Sequence, residues 1–272
     1  MILAYLAAVA TLTVRGDRLY VPARINGVAT EAVLDSGAEA TILDDDFAHR
    51  LATGKGRAVT ARGSGGSAKA ELVSGVRIEA AGLTLDDRTV GVLDLDDVGR
   101  RLFGRRLTAI VGRELFDASR LAIDIEGGRI TAIQRTARPQ GARLTLKSHR
   151  GIETVPVRVN GVPVRAAFDL GNGSDVLIGR EFANRLGLVR QVRSVERGGG
   201  IGGEVKRRIV VLKSIRLGGV RLRNVRAAID DQPDAADANI GVKLLRRFRI
   251  VTDFAQRAVW LQPRRGGALG AM

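Results

Sequence analysis

Cysteine is absent from this chain of 272 residues, and histidine occurs twice, at His49 and His149. The first absence excludes disulfides, thiolate nucleophiles and cysteine-ligated metals, and leaves the redox compartment open. The scarcity of histidine removes the residues for a histidine-rich metal site or a Ser-His-Asp triad. Aromatic residues are 4% of the chain, too few to interleave a basic surface with base-stacking rings, so specific nucleic-acid binding is not expected. Long apolar runs are also missing. The first 14 residues, MILAYLAAVATLTV, are too short to span a bilayer and lack a basic leading region, although Ala8-Val9-Ala10 resembles an export cleavage site. Residues 1–10 therefore read as the remnant of an export signal, which favours a periplasmic or cell-envelope location over a cytoplasmic one. Residues 11–14 read as a first strand, with Leu12 and Val14 facing the core.

Charge is plentiful but unevenly spread. The formal net charge is +15, and residues 141–272 carry 25 Lys/Arg against 11 Asp/Glu, whereas residues 1–140 carry 19 against 18. The basic second half offers contact with an anionic surface, and otherwise reads as a solvated, arginine-rich exterior.

The chain repeats itself. Laid over residues 154–177, residues 20–43 are identical at ten of 24 positions, where chance gives about one or two. Among the matches are Pro22/Pro156, Asn26/Asn160, Gly27/Gly161 and the aspartates Asp35/Asp169. Short alternating runs separated by glycine-containing turns read as mostly β. Strands at 18–25 and 28–34 flank Asn26-Gly27, and strands at 154–159 and 162–168 flank Asn160-Gly161; Asn-Gly tolerates positive φ at both turn positions and is the strongest short hairpin signal. Each half continues with a short strand and a helical turn. A glycine-rich hairpin tip follows, Gly63-Ser64-Gly65-Gly66 and Gly198-Gly199-Gly200-Ile201-Gly202-Gly203. The halves end on an apolar pair running into glycine and a short helix, Ile110-Val111-Gly112-Arg113 and Asn239-Ile240-Gly241-Val242, and then a final hairpin. The organisation is thus a lobe at 15–134, a linker at 135–150 with Pro139 and Gly141, a lobe at 151–262 and a tail at 263–272. Trp260 reads as core.

The order of Val33-Leu34-Asp35-Ser36-Gly37-Ala38, a glycine-rich flap and Ile110-Val111-Gly112-Arg113 resembles the retroviral-type, retropepsin-like aspartic proteases, and the second half repeats that order in weaker form. The resemblance implies two tandem β-barrel lobes related by pseudo-twofold symmetry, in a single chain that is a monomer. It also implies an endopeptidase acting on peptide or protein substrates with no metal or cofactor. Asp35 and Asp169 would be the catalytic pair, because two carboxylates within hydrogen-bonding reach cannot both ionise and so share one proton. Ser36, Gly37, Ala38, Leu170, Gly171 and Asn172 would form the supporting turns. Gly63, Ser64, Gly65, Gly66, Gly200, Ile201 and Gly202 would form flaps over substrate.

In the family a hydroxyl residue follows each aspartate and bonds across to the partner turn. Ser36 can do so and Leu170 cannot, while the amide of Asn172 offers a substitute bond to the facing loop or to substrate. The expectation is an asymmetric second carboxylate, and the alternative function is a degenerate module that binds extended peptides without cutting them. The resemblance also implies a structural pair of Glu39 with Arg113, whose second-half counterparts are Gly173 and Val242. The acidic clusters 44–46 and 94–97 lack the alternating spacing of a calcium loop and read as helix caps or solvated loops.

Overall fold

The computed structural model describes residues 9–264. In the first half, β1 (Val9–Thr11) and β2 (Thr13–Arg15) lead into the hairpin of β3 (Arg18–Ile25) and β4 (Val28–Leu34), followed by β5 (Ile42–Asp44) and α1 (Asp45–Arg50). A long flap hairpin, β6 (Arg57–Gly63) with β7 (Gly66–Ala80), returns through β8 (Leu83–Leu93) to α2 (Asp96–Val98) and a π-helical turn at Gly99–Phe103. Then come β9 (Ala109–Val111), α3 (Arg113–Ala118) and the hairpin of β10 (Arg120–Asp124) and β11 (Arg129–Ile133).

The second half retraces this path. β12 (Ala142–Thr145) and β13 (Lys147–His149) precede the hairpin β14 (Ile152–Val159) and β15 (Val162–Phe168), then β16 (Val176–Gly179) and α4 (Arg180–Arg185). The second flap is β17 (Ser194–Gly200) with β18 (Gly203–Leu217). It is followed by β19 (Val220–Asp230), β20 (Ala238–Ile240), α5 (Val242–Leu245) and the closing hairpin β21 (Phe248–Asp253) and β22 (Ala258–Pro263).

Each lobe is an eight-stranded sheet with the same topology: β2-β3-β4-β9-β5-β8-β7-β6 in one and β13-β14-β15-β20-β16-β19-β18-β17 in the other. Additional β3–β7 and β14–β18 pairings fold each sheet back on itself. The hairpins form where the Asn-Gly signal places them, with φ of 47° and 80° at Asn26 and Gly27 and 50° and 90° at Asn160 and Gly161; this backbone matches the right-handed twist of the flanking strands. β3 and β14 have the same alternation of buried and exposed residues, and the last three residues of β4 and of β15 are all buried. Those residues run between two neighbours, β3 and β9 or β14 and β20, and so carry each aspartate into the middle of a sheet.

A third, six-stranded sheet in the order β1-β11-β10-β21-β22-β12 joins the lobes. Its central pair, β10 with β21, comes from different halves, as does the stacked ring pair Phe116 and Phe254, whose centroids are 5.1 Å apart. Three expectations change here. The segment 135–150 is no plain linker: β12 and β13 are the second-half copies of β1 and β2. They form because Leu144 and Leu146 alternate with polar residues, and Leu146 is as buried as its counterpart Leu12; each such leucine contributes about 1.5–3 kcal/mol. Val9 and Ala10 lie in β1, paired with β11, while the rest of the presumed export segment lies outside the described residues, as does the tail beyond residue 264. Trp260 is half-buried rather than core, its ring covered by the guanidinium groups of Arg120 at 5.0 Å and Arg143 at 5.7 Å.

Candidate active site

Each aspartate follows the last residue of a buried strand and is anchored by its own backbone. Asp35 N donates to Val111 O at 3.0 Å, and Asp169 N to Ile240 O at 3.1 Å. The two turns meet face to face. A Cβ at Gly37 would stand 3.0 Å from Asp169 Cγ and 3.2 Å from Asp35 Oδ1, and one at Gly171 would collide with the Asp35 carboxyl. Any larger residue at either glycine would force the carboxyls apart, which is the packing reason for Asp-x-Gly in both halves.

Ser36 is buried and ties the turns together. Its hydroxyl donates to Phe168 O at 2.9 Å and accepts from Leu170 N at 3.0 Å. No reciprocal pair exists, because Leu170 sits in the core with no polar atom to offer. Asn172 does not reach across in its place. Its Oδ1 accepts from Ser174 N at 2.9 Å, which fixes the amide orientation, so its Nδ2 donates to Asn239 Oδ1 at 2.9 Å. Asn239 Nδ2 then has one direction left and donates to Asp169 Oδ2 at 2.7 Å.

The carboxyls thus differ in their donors. Asp169 accepts from Gly171 N, Asn172 N and Asn239 Nδ2, whereas Asp35 accepts from Gly37 N at 2.8 Å. Burial, then the charge of Asp169, push the Asp35 carboxyl up to about 7, and a hydrogen bond with the Asp169 carboxyl acts the same way; Gly37 N–H and the Arg18 charge oppose them. Donors stabilise the ionised form, and the carboxyl with fewer of them, Asp35, is the one whose pKa is raised. Arg18 braces the second turn, with Nη1 donating to Gly171 O at 3.0 Å. Its guanidinium lies 5.7 Å from the centre of the Phe103 ring, and burial lowers its pKa against the pull of Asp169 and Asp35.

The flap tips meet each other. Gly65 N donates to Ile201 O at 3.1 Å, and a side chain at Gly63 would clash with Ile201 and one at Gly202 with Gly66. Arg207 Nη2 donates to Ser64 O at 3.2 Å, and Arg101 Nη2 to Gly200 O at 3.1 Å. Ile201 and Ala38 both pack on one apolar cluster of the first lobe, so the flap tip of the second lobe seats on the first.

The expected pairing of Glu39 with Arg113 is corrected. Arg113 instead bonds Asp117 at 3.0 Å and, across the lobe boundary, the buried Glu153 at 2.8 Å. Glu153 Oε1 also accepts from Arg257 at 2.8 Å, while Glu39 is exposed and in no ion pair among the described residues. A buried carboxylate with two arginines is a better sink for Arg113 than a solvated one. In the acidic clusters, Asp44 caps α1, accepting from Phe47 N at 3.3 Å, and its other oxygen accepts from Leu95 N at 3.3 Å. Its carboxylate lies within 4.8 Å of those of Asp94 and Asp96.

The profile of the aspartyl protease family matches the chain twice, at residues 21–114 and 155–244, one match per lobe and together more than half of the sequence. The chain belongs to the aspartyl protease family. Among solved structures it is similar to a retropepsin-like aspartic protease from Rickettsia conorii, with 21% identity and a TM-score of 0.37, over 46% of this chain and 96% of that one. No curated protein sequence matches it. Family membership agrees with the repeated Asp-x-Gly turns and the single-chain, two-lobed form. Sequence reasoning missed Asn239 and Arg18. Asn239 had a signal, a polar residue where the first half has Ile110 in the same apolar-apolar-glycine run; Arg18, opposite Ile152 in the repeat, had none beyond its charge.

Proposed function

We propose that the protein is an aspartic endopeptidase in which Asp35 and Asp169 jointly activate a water. Asp169, its carboxyl held by three donors, takes a proton from the water as the water oxygen bonds to the peptide carbonyl carbon. Asp35 gives its proton to the carbonyl oxygen, which produces a tetrahedral diol. Collapse of the diol breaks the C–N bond, with the leaving nitrogen taking the proton from Asp169 and a diol hydroxyl returning its proton to Asp35 as the carbonyl re-forms, which restores the pair. Substrate would lie extended beneath the flaps, its backbone adding to the strand edges. The observation that carries this reading is the face-to-face placement of two Asp-x-Gly turns with unequal donor sets around their carboxyls.

The test is cleavage of a mixed peptide pool by the whole chain and by Asp35→Asn and Asp169→Asn, read by mass spectrometry. Each substitution should lower the rate by at least about a thousandfold, and an undiminished rate in either rejects the mechanism. The rate should also fall as pH rises past about 7, where Asp35 loses its proton. The single, unreciprocated Ser36 bridge favours a second reading, a peptide-binding module that no longer cuts. Tight peptide binding with no cleavage at any pH, and an affinity unmoved by Asp169→Asn, would select it.

A further inference from the structure

The two lobes share a topology but not a chemistry beside the scissile bond. In the first lobe, Val33 and Ile110 pair across β4 and β9, and Ala70 and Leu93 sit one step beyond the Glu71–Val92 pair of β7 and β8. All four belong to an apolar cluster distinct from the main core, and Ala38 of the catalytic turn and Ile201 of the opposite flap pack against it. A peptide between turn and flap must pass this cluster.

At the equivalent register positions of the second lobe three of the four residues are polar. The pair corresponding to Val33 and Ile110 is Ala167 and Asn239 on β15 and β20. Two residues beyond the Ile209–Ala228 pair of β18 and β19, in place of Ala70 and Leu93, stand Arg207 and Asp230. Asn172 replaces Ala38, and Ser64 of the opposite flap replaces Ile201, its carbonyl accepting from Arg207. Arg207 is only 7% exposed. Its Nη1 lies 3.1 Å from Asp230 Oδ1, yet the angle makes no hydrogen bond and that N–H remains an open, buried donor. A buried donor left open costs free energy unless something accepts from it.

We propose that the two subsites flanking the scissile bond select different side chains: the first lobe takes an apolar one, and the second takes one bearing a hydrogen-bond acceptor, a carboxylate or carboxamide, read by Arg207 between Asp230, Asn239 and Ser64. The proposal rests on the peptide-cleft reading above and supplies its specificity. Only one side of the cleft is lined for burial of a large apolar group, and such a group on the other side would leave the Arg207 donor unpaired.

The test uses peptides that differ only beside the scissile bond: apolar on both sides, or apolar on one side with Asn, Gln, Asp or Glu on the other, in each orientation. Binding to the Asp35→Asn protein is read by fluorescence polarisation, and cleavage by the wild-type protein is read separately. An acceptor-bearing peptide in one orientation should bind at least about tenfold more tightly than the all-apolar one. The double variant Arg207→Ala with Asp230→Leu, which installs the first lobe's pair and removes both charges together, should abolish or reverse that preference while keeping the far-ultraviolet circular dichroism of the parent. Equal binding of the two peptide classes, a preference for the all-apolar peptide, a preference unchanged in the folded double variant, or no binding of any peptide would each overturn the proposal. A preference seen in binding without cleavage by the wild-type protein would support the subsites and reject only the hydrolytic reading.

Discussion

At Asp35 the balance between burial and hydrogen bonding predicts a stability effect independent of catalysis. Its carboxyl moves from the ordinary aspartate value of 3.8 to about 7 in the fold. Between those pH values the folded chain keeps a proton that the unfolded chain releases, so this group's contribution to stability is complete below about pH 4 and is lost as pH rises towards 7. Asparagine at position 35 cannot ionise and escapes that loss. Asp35→Asn should therefore melt close to wild type at pH 4 and higher by roughly 4 °C or more at pH 8, and equal melting temperatures at pH 8 would refute the assignment. Ser36 offers a second check at this scale. Ser36→Ala leaves Phe168 O and Leu170 N buried without a partner and should cost about 1–3 kcal/mol in urea unfolding. Ser36→Thr, which keeps the hydroxyl, should recover most of that loss.

Among the elements, β3, β4 and β15 were legible because Asn-Gly turns punctuate alternating runs, and local chemistry of that kind needs no tertiary context. The two Asp-x-Gly turns were legible for the same reason, since that pattern is short and repeated. β12 and β13 were hidden because Pro139 and Gly141 dominate their surroundings: β12 forms only when β22 of the six-stranded sheet supplies an edge, and β13 only when β14 of the second lobe's own sheet does, with the buried Leu146 between them. Arg113 was assigned the wrong partner because Glu153 lies 40 positions away, in the first long strand of the other lobe. β20 combines both cases: its apolar-glycine pattern placed it, while the role of Asn239 depends on the amide relay from Ser174 through Asn172. Asn239→Ile, which copies the first lobe, removes one of the three donors from the Asp169 carboxyl. It should lower kcat by about a hundredfold and move the acid limb of the pH–rate profile to higher pH, because protonation of the pair then competes better. An unmoved acid limb with the same loss of kcat would mean that Asn239 acts only on packing.

The whole molecule is held by a sheet that neither half can build alone, and its pseudo-twofold axis makes a controlled comparison. β10 and β21 run antiparallel with Ala122 opposite Val251 at the centre, so Arg120 falls beside Asp253 at one end and Asp124 beside Arg249 at the other. The first pair is buried, 3.1 Å apart, with Arg120 also donating to Arg135 O at 2.9 Å and Ala137 O at 2.7 Å. The second is 3.7 Å apart, with Arg249 61% exposed. The same residue types in the same register thus meet solvent at one end and the interior at the other. Removing Arg120 takes from the buried Asp253 its nearest cation, leaving it Arg135 at 3.4 Å, and takes the donor from Arg135 O and Ala137 O; breaking such a buried pair costs up to about 3–5 kcal/mol, whereas an exposed pair contributes about 0–1 kcal/mol. Arg120→Ala should therefore lower the urea-unfolding free energy by about 3–5 kcal/mol and Arg249→Ala by about 1 kcal/mol or less. In high salt the small Arg249 effect should vanish while the Arg120 effect persists, because counterions screen the exposed end and cannot reach the buried one. Equal losses from the two substitutions would mean that the lobes are not locked through the Arg120 end of this strand pair.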